Sequence, residues 1–380
     1  MLWPTILAGL QSFFPGLTSI TPSDIVMIAI GCLLLYLGIR KGLEPLLLVP
    51  IGFGAILANI PLAGVMEDGG FLRLLYDFGI KTELFPILIF VGIGAMTDFE
   101  PLLDNPRILL FGAAGQFGIF FTLLLALAFG FTKLESLAIG IIGACDGPTA
   151  IYVTSTYAPH LLGSVTVAAY SYMSLVPLIQ PPIMKFLTTD AEKKVVMGTV
   201  KKSVSKTTKV LFPIVVTIFT AIIAPIGIPL MGTLMLGNLL RESGAADRLA
   251  KVSANEIANI VTLLLGLTIG ATMQAGQFLR VQTLTIFALG FVAISLDTAM
   301  GVFFGKFMCS ISRGKINPLV GAAGISAFPM AARVVQVQGQ RYNKKNYLLM
   351  HAMGANTGGQ IGSIMAAAIM LSLVKAMGLA

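Results

Sequence analysis

The sequence predicts an all-α, polytopic membrane protein. Of its 380 residues, 56% are hydrophobic and 11% are charged, and the mean hydropathy is +0.90. A soluble globular domain carries about 25% charged residues. Apolar runs of about 18 residues or more recur along the chain, and each is long enough to cross a bilayer as a helix. The short alternating segments of a transmembrane β-barrel are absent from the sequence.

The apolar runs predict about nine to eleven transmembrane segments. In chain order they cover residues 25–39, 46–62, 84–96, 108–131, 137–153, 165–187, 210–239, 257–273, 283–308, 318–337 and 347–374. The 41 glycines and 19 prolines permit close helix packing and deliberate helix breaks within a membrane. We therefore expect some of these segments to be broken helices, or hairpins that enter and leave on one side.

Residues 191–208 form a hydrophilic connection that divides the chain into an N-terminal half, 1–190, and a C-terminal half, 209–380. Between residues 185 and 209 the sequence has two acidic residues against seven lysines: Lys185, Lys193, Lys194, Lys201, Lys202, Lys206 and Lys209. Lysine-rich loops stay on the cytoplasmic side of a membrane, so we expect this connection to be cytoplasmic. A docking site for an acidic partner is the alternative interpretation.

The two halves contain similar motifs in the same order. The first half has GIGAMTDFEPLL (92–103), a long apolar span and then GACDGPTAIYVTS (143–155), which we call the first tip. The second half has TIGATMQAGQFL (268–279), another long span and then NPLVGAAGISAFPMAAR (317–333), the second tip. Paired segments interrupted by glycine and proline mark the binding sites of many transporters. We expect an ion-coupled transporter with two structural repeats, inverted rather than parallel.

Asp146 lies in the first tip, and it is the one formal charge between Glu135 and Lys185 unless His160 is protonated. An ionised carboxylate at the centre of a membrane helix costs about 2.5 to 3.5 kcal/mol on insertion scales. The flanking glycines and Pro148 break the helix and free backbone carbonyls. These can join the carboxylate in an all-oxygen cage for a hard cation such as Na⁺. A protonated or helix-capping aspartate near a membrane surface is the alternative.

The second tip offers neutral oxygens instead of a carboxylate. Asn317 and Ser326 are its polar side chains, and Pro318, Gly321 and Gly324 break the helix between them. Near the C-terminus, the stretch MHAMGANTGGQIGS has four polar residues among its glycines: Asn356, Thr357, Gln360 and Ser363. Each of these residues alone is more often a helix–helix hydrogen-bonding group than a ligand. Their clustering favours a binding site.

Arg333 ends the second tip, and an arginine inside a membrane must be paired, solvated in a cavity or extended to the interface. Its guanidinium suits a carboxylate, so Arg333 is a candidate for binding a substrate carboxylate. An ion pair with Asp146 and extension to the interface are the alternatives. Tyr170 and Tyr172 precede a proline-rich break at 177–182 and are candidates for hydroxyl groups beside the site. Tyrosines at the membrane interface are the alternative there.

The motifs exclude some classes of function. The sequence has no Walker-type phosphate loop, no His/Cys metal cluster and no nucleophile elbow. Its net charge of +8 comes without a basic and aromatic nucleic-acid-binding module, so nucleic acid is not an expected partner. The energy for transport must therefore come from an ion gradient or from a reaction on a partner subunit. A gradient-driven Na⁺-coupled transporter or Na⁺/H⁺ antiporter, and a membrane scaffold without transport activity, are the rival interpretations.

Four motifs together resemble the β subunit of the sodium-pumping, biotin-dependent decarboxylases of oxaloacetate, methylmalonyl-CoA and glutaconyl-CoA. They are GACDGPTAIYVTS in the first tip, YSYMSLVPLIQPP at 170–182, NPLVGAAGISAFPMAAR in the second tip and HAMGANTGGQIGS at 351–363. The resemblance covers the chain from about Gly92 to the C-terminus. The four motifs in this order are much more specific than any one of them.

The resemblance implies a reaction that the residues alone do not show. In this family a carboxyltransferase α subunit moves a carboxyl group onto biotin, which a biotin carrier subunit holds covalently. The membrane subunit decarboxylates carboxybiotin while it exports Na⁺ and consumes a proton. The resemblance also implies a small membrane subunit of the γ or δ type, an oligomeric complex and a multi-pass location in the bacterial inner membrane.

Carried over to this sequence, the family's essential residues are Asp146, Tyr172, Asn317, Gly321, Ser326 and Arg333, with Asn356 as a further polar ligand. The implied Na⁺ ligands are Asp146, Asn317, Gly321, Ser326 and Asn356. Arg333 is expected to receive the carboxylate of carboxybiotin, and Tyr172 to assist proton delivery. Cys145 departs from the family, which often has a smaller residue there. The compact length and short N-terminal segment favour the branches that act on CoA esters.

Overall fold

The computed structural model describes residues 15–198, 204–376 and 378. Their regular structure is entirely helical, which confirms the predicted all-α class. The α-helices, in chain order, are α1 (Pro15–Ser19), α2 (Pro22–Lys41), α3 (Pro45–Ala58), α4 (Phe71–Leu75), α5 (Leu84–Met96), α6 (Glu100–Asp104), α7 (Leu109–Ala114), α8 (Phe117–Ala128), α9 (Lys133–Gly140), α10 (Gly147–Tyr157), α11 (Leu162–Leu187), α12 (Asp190–Lys193), α13 (Lys206–Ile223), α14 (Ile228–Ser243), α15 (Asp247–Val252), α16 (Ala258–Thr272), α17 (Ala275–Phe278), α18 (Val281–Ile311), α19 (Met330–Tyr342) and α20 (Leu349–Ala376).

Shorter helical segments join or interrupt these helices. Segments of 3₁₀ type lie at Pro106–Ile108, Ile141–Ala144, Pro159–Leu161, Pro225–Gly227 and Pro318–Gly324, and π segments lie at Tyr76–Ile80 and Ser253–Ile257. Residues 199–203 of the predicted basic connection, which include Lys201 and Lys202, lie outside the described residues.

Seven helical stretches of the described chain are long and apolar enough to cross a membrane: Pro22–Lys41, Pro106–Ala128, Pro159–Leu187, Lys206–Ile223, Asp247–Thr272, Val281–Ile311 and Leu349–Ala376. An eighth forms if Phe71–Ile80 and Leu84–Met96, bent by 64° relative to each other, make one broken span. Other predicted segments do not form one long helix. α3 has 14 residues, and each of the two tips divides into a 3₁₀ segment and an α-helix. A polytopic helical membrane protein with broken helices is therefore confirmed.

The predicted segment 210–239 is two helices rather than one. α13 ends at Ile223 and α14 begins at Ile228, with the 3₁₀ segment Pro225–Gly227 between them. Pro225 has no backbone N–H to continue the helix, and it restricts the backbone of Ala224 before it. The two helices pack on each other, so this part of the chain is a helical hairpin.

Glycines bring helices of the two halves into backbone contact. α3 packs on α16, and a Cβ at Gly270 would overlap the carbonyl oxygen of Ile51. α5 packs on α14 in the same way, because a Cβ at Gly237 would overlap the carbonyl oxygen of Val91. Small residues at helix crossings permit this approach in a membrane, where close packing drives helix association. The two halves are thus packed into each other.

The order of elements is similar in the two halves. In each, a π segment leads into an apolar helix, α5 or α16. An apolar stretch follows (α7 with α8, or α18), then a tip with a 3₁₀ segment, a shorter helix (α10 or α19) and a long helix (α11 or α20). The first apolar stretch is broken at Gly115 and Gln116, whereas α18 is continuous over 31 residues. The repeat and its inverted sense stay predictions.

The tips lie among the most buried spans. Within the chain, 67% of the apolar window of Leu349–Ala376 is buried, 61% of that of Pro159–Leu187 and 50% of that of Val281–Ile311, against 11% for Lys206–Ile223. α18 and α20 pack on the 3₁₀ segment of the second tip, and α11 packs on α10 of the first. The helices α11, α18 and α20 therefore form the interior that positions both tips.

Candidate functional site

The first tip is a helix break that ends on a capping aspartate. α9 passes at Gly140 into the 3₁₀ segment Ile141–Ala144, and Cys145 then adopts a left-handed backbone with φ 52°. Asp146 caps the N-terminus of α10, which has Pro148 in its first turn. Proline is tolerated there because first-turn N–H groups have no intrahelical partner. The break therefore places the carboxylate at a helix N-terminus, where the helix dipole stabilises negative charge.

Three donors surround the Asp146 carboxylate. Thr149 donates its backbone N–H to Oδ1 (3.3 Å) and its hydroxyl to Oδ2 (2.8 Å). Ser363 on α20 donates its hydroxyl to the same Oδ2 (2.9 Å). Asp146 is 8% exposed, and no basic side chain of the described residues forms an ion pair with it. Neutral hydroxyls and one backbone amide, not a counter-charge, hold the carboxylate.

The second tip meets the first at its own break. After the 3₁₀ segment ends at Gly324, the backbone N–H of Ser326 donates to the carbonyl of Ala144, two residues before Asp146 (3.2 Å). The hydroxyl of Ser326 donates to the carbonyl of Gly359 on α20 (2.8 Å). The second tip therefore meets the first tip two residues before Asp146, and it also bonds to α20.

α20 supplies polar side chains to both tips. Asn356 donates its amide to the carbonyl of Ile325 in the second tip. Ser363, about two helical turns later, reaches Asp146 in the first tip. The side-chain oxygen of Asn356 is buried and has no hydrogen-bond partner among the described residues. Such an oxygen is free to ligate a cation.

Gln116, at the break between α7 and α8, links α7, the second tip and α20 by hydrogen bonds. Its amide donates to the carbonyls of Gly112 (3.0 Å), Gly324 in the second tip (3.2 Å) and Gly359 on α20 (3.3 Å). Its side-chain oxygen is also buried and unpartnered among the described residues. One carboxylate with hydroxyl, amide and carbonyl oxygens around broken helices is the ligand chemistry of a hard cation.

Sequence reasoning did not single out Thr149 or Gln116, and it gave Ser363 only as a member of a polar cluster. Thr149 follows Asp146 by three residues, the spacing at which a helix N-cap meets a backbone N–H, so the capping pattern was an available signal. Gln116 had no comparable signal, because it lies in a continuous apolar run. Two of its three hydrogen bonds go to residues more than 200 positions away.

Asn317, a predicted Na⁺ ligand, is bonded to the basic connection. Its amide donates to the carbonyls of Lys193 (3.1 Å) and Val195 (2.8 Å), and its oxygen accepts from the N–H of Leu319 (2.9 Å). Lys193 in turn pairs with Asp190 (3.0 Å), and the hydrogen bond from this ammonium lowers the pKa of the Asp190 carboxyl. Asn317 thus fixes the start of the second tip to the connection, and no contact with Asp146 is formed within the described residues. Its role as a ligand stays a prediction.

Gly321, also a predicted ligand, lies against α18. A Cβ at Gly321 would overlap the carbonyl oxygen of Gly301, and a Cβ at Gly301 would overlap the carbonyl oxygen of Gly321. The absence of side chains at both positions lets the 3₁₀ segment lie directly on the helix backbone. This contact positions Ser326 five residues later, and the role of Gly321 as a ligand stays a prediction.

Tyr172 and Tyr170 lie on different faces of α11. Tyr172 donates its hydroxyl to the carbonyl of Phe287 on α18 (2.6 Å) and packs on aromatic rings of that helix. Tyr170 is buried, and a Cβ at Gly147 would overlap the hydroxyl end of its ring. The hydroxyl of Tyr170 has no partner among the described residues. Of the two, Tyr170 contacts the residue that follows Asp146.

Arg333 is exposed in a cleft of about 410 Å³ between α11 and α19. Pro177 and Pro181 line one side, and Arg333 and Arg341, about two turns apart, line the other with apolar side chains between them. Arg333 forms no ion pair with any acidic residue of the described chain, Asp146 included. A free guanidinium beside apolar walls suits a ligand with an apolar body and a carboxylate.

Residues 23–374 match the family model of the Na⁺-transporting oxaloacetate decarboxylase beta subunit. The glutaconyl-CoA decarboxylase subunit beta of Acidaminococcus fermentans is 54% identical over 359 residues, covering 94% of this chain and 95% of the relative. The methylmalonyl-CoA decarboxylase subunit beta of Propionigenium modestum is 50% identical, with coverage of 94% and 96%. The oxaloacetate decarboxylase beta chain of Klebsiella pneumoniae is 46% identical, with coverage of 95% and 98%.

Proposed function

Since the chain belongs to the family of β subunits of Na⁺-transporting decarboxylases, we propose that its two tips bind the transported Na⁺ and that the Arg333 cleft binds carboxybiotin. The chain is an enzyme component: the membrane subunit of a decarboxylase sodium pump, multi-pass in the bacterial inner membrane. No observation favours the gradient-driven transporter that the sequence alone left open.

The observation that carries the Na⁺ proposal is that α20 bonds to both tips beside Asp146. Ser363 of α20 donates to Asp146 of the first tip, while Ser326 of the second tip bonds to the same helix at Gly359. Hydroxyl groups that donate to a carboxylate can turn and offer their oxygens to a cation. The proposed ligand set is therefore Asp146 with hydroxyl, amide and carbonyl oxygens from Thr149, Ser326, Asn356 and Ser363.

Carboxybiotin is the proposed substrate of the Arg333 cleft. In the reaction, the bond between the biotin ring nitrogen and the carboxyl carbon breaks, CO₂ leaves, and the ring nitrogen takes up one proton. Arg333 holds the carboxylate until the bond breaks. Tyr172 is proposed to assist proton delivery. Its hydroxyl donates a hydrogen bond to α18, and it would give up this bond when it passes a proton on.

The proposed complex contains a carboxyltransferase α subunit, a biotin carrier and a small membrane subunit of the γ or δ type. Biotin is attached to the carrier and not to this chain. We propose a CoA ester as the substrate of the carboxyltransferase, because identity is 50–54% to three CoA-ester subunits and 44–46% to five oxaloacetate chains. Assays of the co-purified complex with each acyl substrate test this choice, and Na⁺ uptake driven by oxaloacetate would contradict it.

The decisive experiment on the site is Asp146→Asn in the reconstituted complex, with uptake of radioactive Na⁺ and CO₂ release measured together. Asparagine caps a helix about as well as aspartate, so α10 keeps its start while the charge is lost. We expect both Na⁺ uptake and Na⁺-dependent decarboxylation of carboxybiotin to be abolished. Asp247→Asn, at an exposed carboxylate in the first turn of α15, is the control and is expected to behave as the wild type. Coupled transport by Asp146→Asn would show that Asp146 is only a helix cap.

A further inference from the structure

Asp297 is a buried carboxyl group that the proposed function does not use. It lies within α18 and is 0% exposed. One of its oxygens, Oδ1, accepts a hydrogen bond from the backbone N–H of Gly118 in the first turn of α8. First-turn N–H groups have no partner within their own helix. Asp297 thus caps the helix that begins after the break at Gln116, and this contact accounts for one oxygen of the carboxyl group.

The other oxygen, Oδ2, has no hydrogen-bond partner among the described residues. No basic side chain in the described ranges forms an ion pair with Asp297 either. Oδ2 faces the first tip, because a Cβ at Gly143 would lie 3.0 Å from it. A carboxyl group inside a membrane protein with no counter-charge indicates a proton or ion site. A helix cap alone does not require a second, unpaired oxygen at this position.

The first tip therefore has a carboxyl group on each side. Asp146 accepts hydrogen bonds from Thr149 and from Ser363 on α20, and Asp297 approaches the same tip from α18 at Gly143, three residues before Asp146. Like charges repel each other over several residues inside a protein, because its low dielectric screens them little, so ionisation of one of these carboxyl groups favours the neutral form of the other. Asp146 receives three hydrogen bonds, which stabilise its anion, whereas Asp297 receives one.

We propose that Asp297 is the proton-binding group of this pump: it is a neutral acid while no Na⁺ is bound at Asp146, and it releases its proton when Na⁺ binds there. This inference rests on the proposed function, because it requires Na⁺ at Asp146. Na⁺ neutralises Asp146 and removes the repulsion that keeps Asp297 protonated. One positive charge enters as Na⁺ and one leaves as H⁺, so the net charge of the buried site is unchanged.

The surroundings of Asp297 leave few other groups for this role. The elements packed on α18 include α7, α8 and the 3₁₀ segment of the second tip, whose sequences contain no titratable side chain. The other elements packed on α18 contribute the following titratable side chains: Cys145 after the 3₁₀ segment of the first tip; Tyr170, Tyr172 and Lys185 on α11; and Lys133 and Glu135 in the first turn of α9. Among these, Cys145 belongs to the first tip, which Oδ2 of Asp297 faces at Gly143.

The test compares Asp297→Asn with Ser295→Ala in the decarboxylase complex reconstituted in vesicles. Asparagine keeps an oxygen for the Gly118 N–H but binds no proton. Ser295 is the matched control, because its hydroxyl only donates to the carbonyl of Phe291 on the same helix. In the wild type, the Na⁺ concentration for half-maximal decarboxylation is expected to rise about tenfold for each unit of pH decrease, if one proton is displaced per Na⁺. Asp297→Asn is expected to lose this pH dependence, and Ser295→Ala to keep it.

Infrared difference spectroscopy on the purified complex gives a direct readout of the proton. Addition of Na⁺ is expected to remove the carbonyl band of a protonated carboxylic acid in the wild type and in Ser295→Ala. Asp297→Asn lacks this band from the start. If Asp297→Asn retains both the band and the wild-type pH dependence, Asp297 is only a helix cap and the proposal is overturned.

Two further variants keep the outcomes separate. If Asp297→Asn does not assemble, Asp297→Glu decides: a proton-binding role predicts a shifted midpoint of the pH dependence, and a cap alone predicts an unchanged midpoint. Asp146→Asn is expected to lose Na⁺ dependence at every pH. Na⁺ dependence retained by Asp146→Asn would contradict the proposed function itself. If Asp146→Asn is inactive but Asp297→Asn behaves as the wild type, this inference alone is contradicted.

Discussion

The two tips meet at one hydrogen bond but differ in charge. The first tip places Asp146 at the N-terminus of α10, after a left-handed residue at Cys145. The second tip has a 3₁₀ segment of seven residues and contributes neutral groups near Asp146, such as the hydroxyl of Ser326, while Arg333 at its end lines the separate cleft. Neutral oxygens cost less to bury than a second carboxylate. One negative charge with neutral oxygens matches one monovalent cation, so the asymmetry of the tips fits the proposed cargo.

Gly321→Ala tests whether the second tip depends on backbone contact with α18. Of the substitutions discussed below, we expect it to have the largest effect on stability and transport. The new Cβ would overlap the carbonyl of Gly301, and overpacking costs about 1–3 kcal/mol, occasionally more. We expect a lower melting temperature of the complex and loss of coupled transport. Gly276→Ala is the control, because nothing lies within 4 Å of a Cβ there. Equal melting temperatures for the two variants would contradict the contact.

Ser363→Ala removes a neutral group from the charged first tip. In the proposed site the hydroxyl turns its oxygen toward Na⁺, and loss of an interaction with a charged group costs about 1.5–3 kcal/mol, so the half-saturating Na⁺ concentration should rise at least about tenfold. Ser372→Ala, on the same helix with its hydroxyl bonded to Ala368, should leave it unchanged. Titration of decarboxylation with Na⁺ measures both variants. An unchanged Na⁺ requirement in Ser363→Ala would remove Ser363 from the proposed ligand set.

Arg333→Lys separates the substrate cleft from the proposed Na⁺ site. Lysine keeps the charge but loses the paired donors of the guanidinium, and we expect the half-saturating concentration of carboxybiotin to rise about fivefold to tenfold, a loss of about 1–1.4 kcal/mol. The Na⁺ requirement should not change, because Arg333 makes no contact with Asp146 in the described residues. Arg248→Lys, at an exposed position on α15, is the control. A rise in the Na⁺ requirement instead would place Arg333 at the ion site.

The smallest effect concerns the connection that holds Asn317. The Lys193 ammonium lowers the pKa of Asp190, so this pair stabilises the fold at pH values above the ordinary pKa of an aspartate. That contribution disappears as the pH falls through the lowered value. Hydrogen exchange of residues 190–195 should therefore increase at acidic pH in the wild type. In Asp190→Asn the exchange should already be faster at neutral pH and change less with acid; an identical pH response would contradict the pair.

The sequence was sufficient for the helical class, the broken segments and the position of Asp146. It was less successful where one residue's role depends on distant partners. Asn317 was grouped with Asp146 because both are polar groups in matching breaks, yet its amide is bonded to the carbonyls of Lys193 and Val195. Tyr170 and Tyr172 are two positions apart, and sequence spacing did not show which of them lies against Gly147.

The amino-acid sequence by itself determined that this chain lies in a membrane and where its helices break, because hydropathy, glycine and proline act locally through solvation and backbone geometry. Only the tertiary structure decided which oxygens surround Asp146 and that Asp297 lies on the other side of the same tip. Hydrogen bonds between Asp146 and Ser363, or between Gly118 and Asp297, join residues 217 and 179 positions apart. Such contacts depend on how the helices pack, which no local pattern encodes.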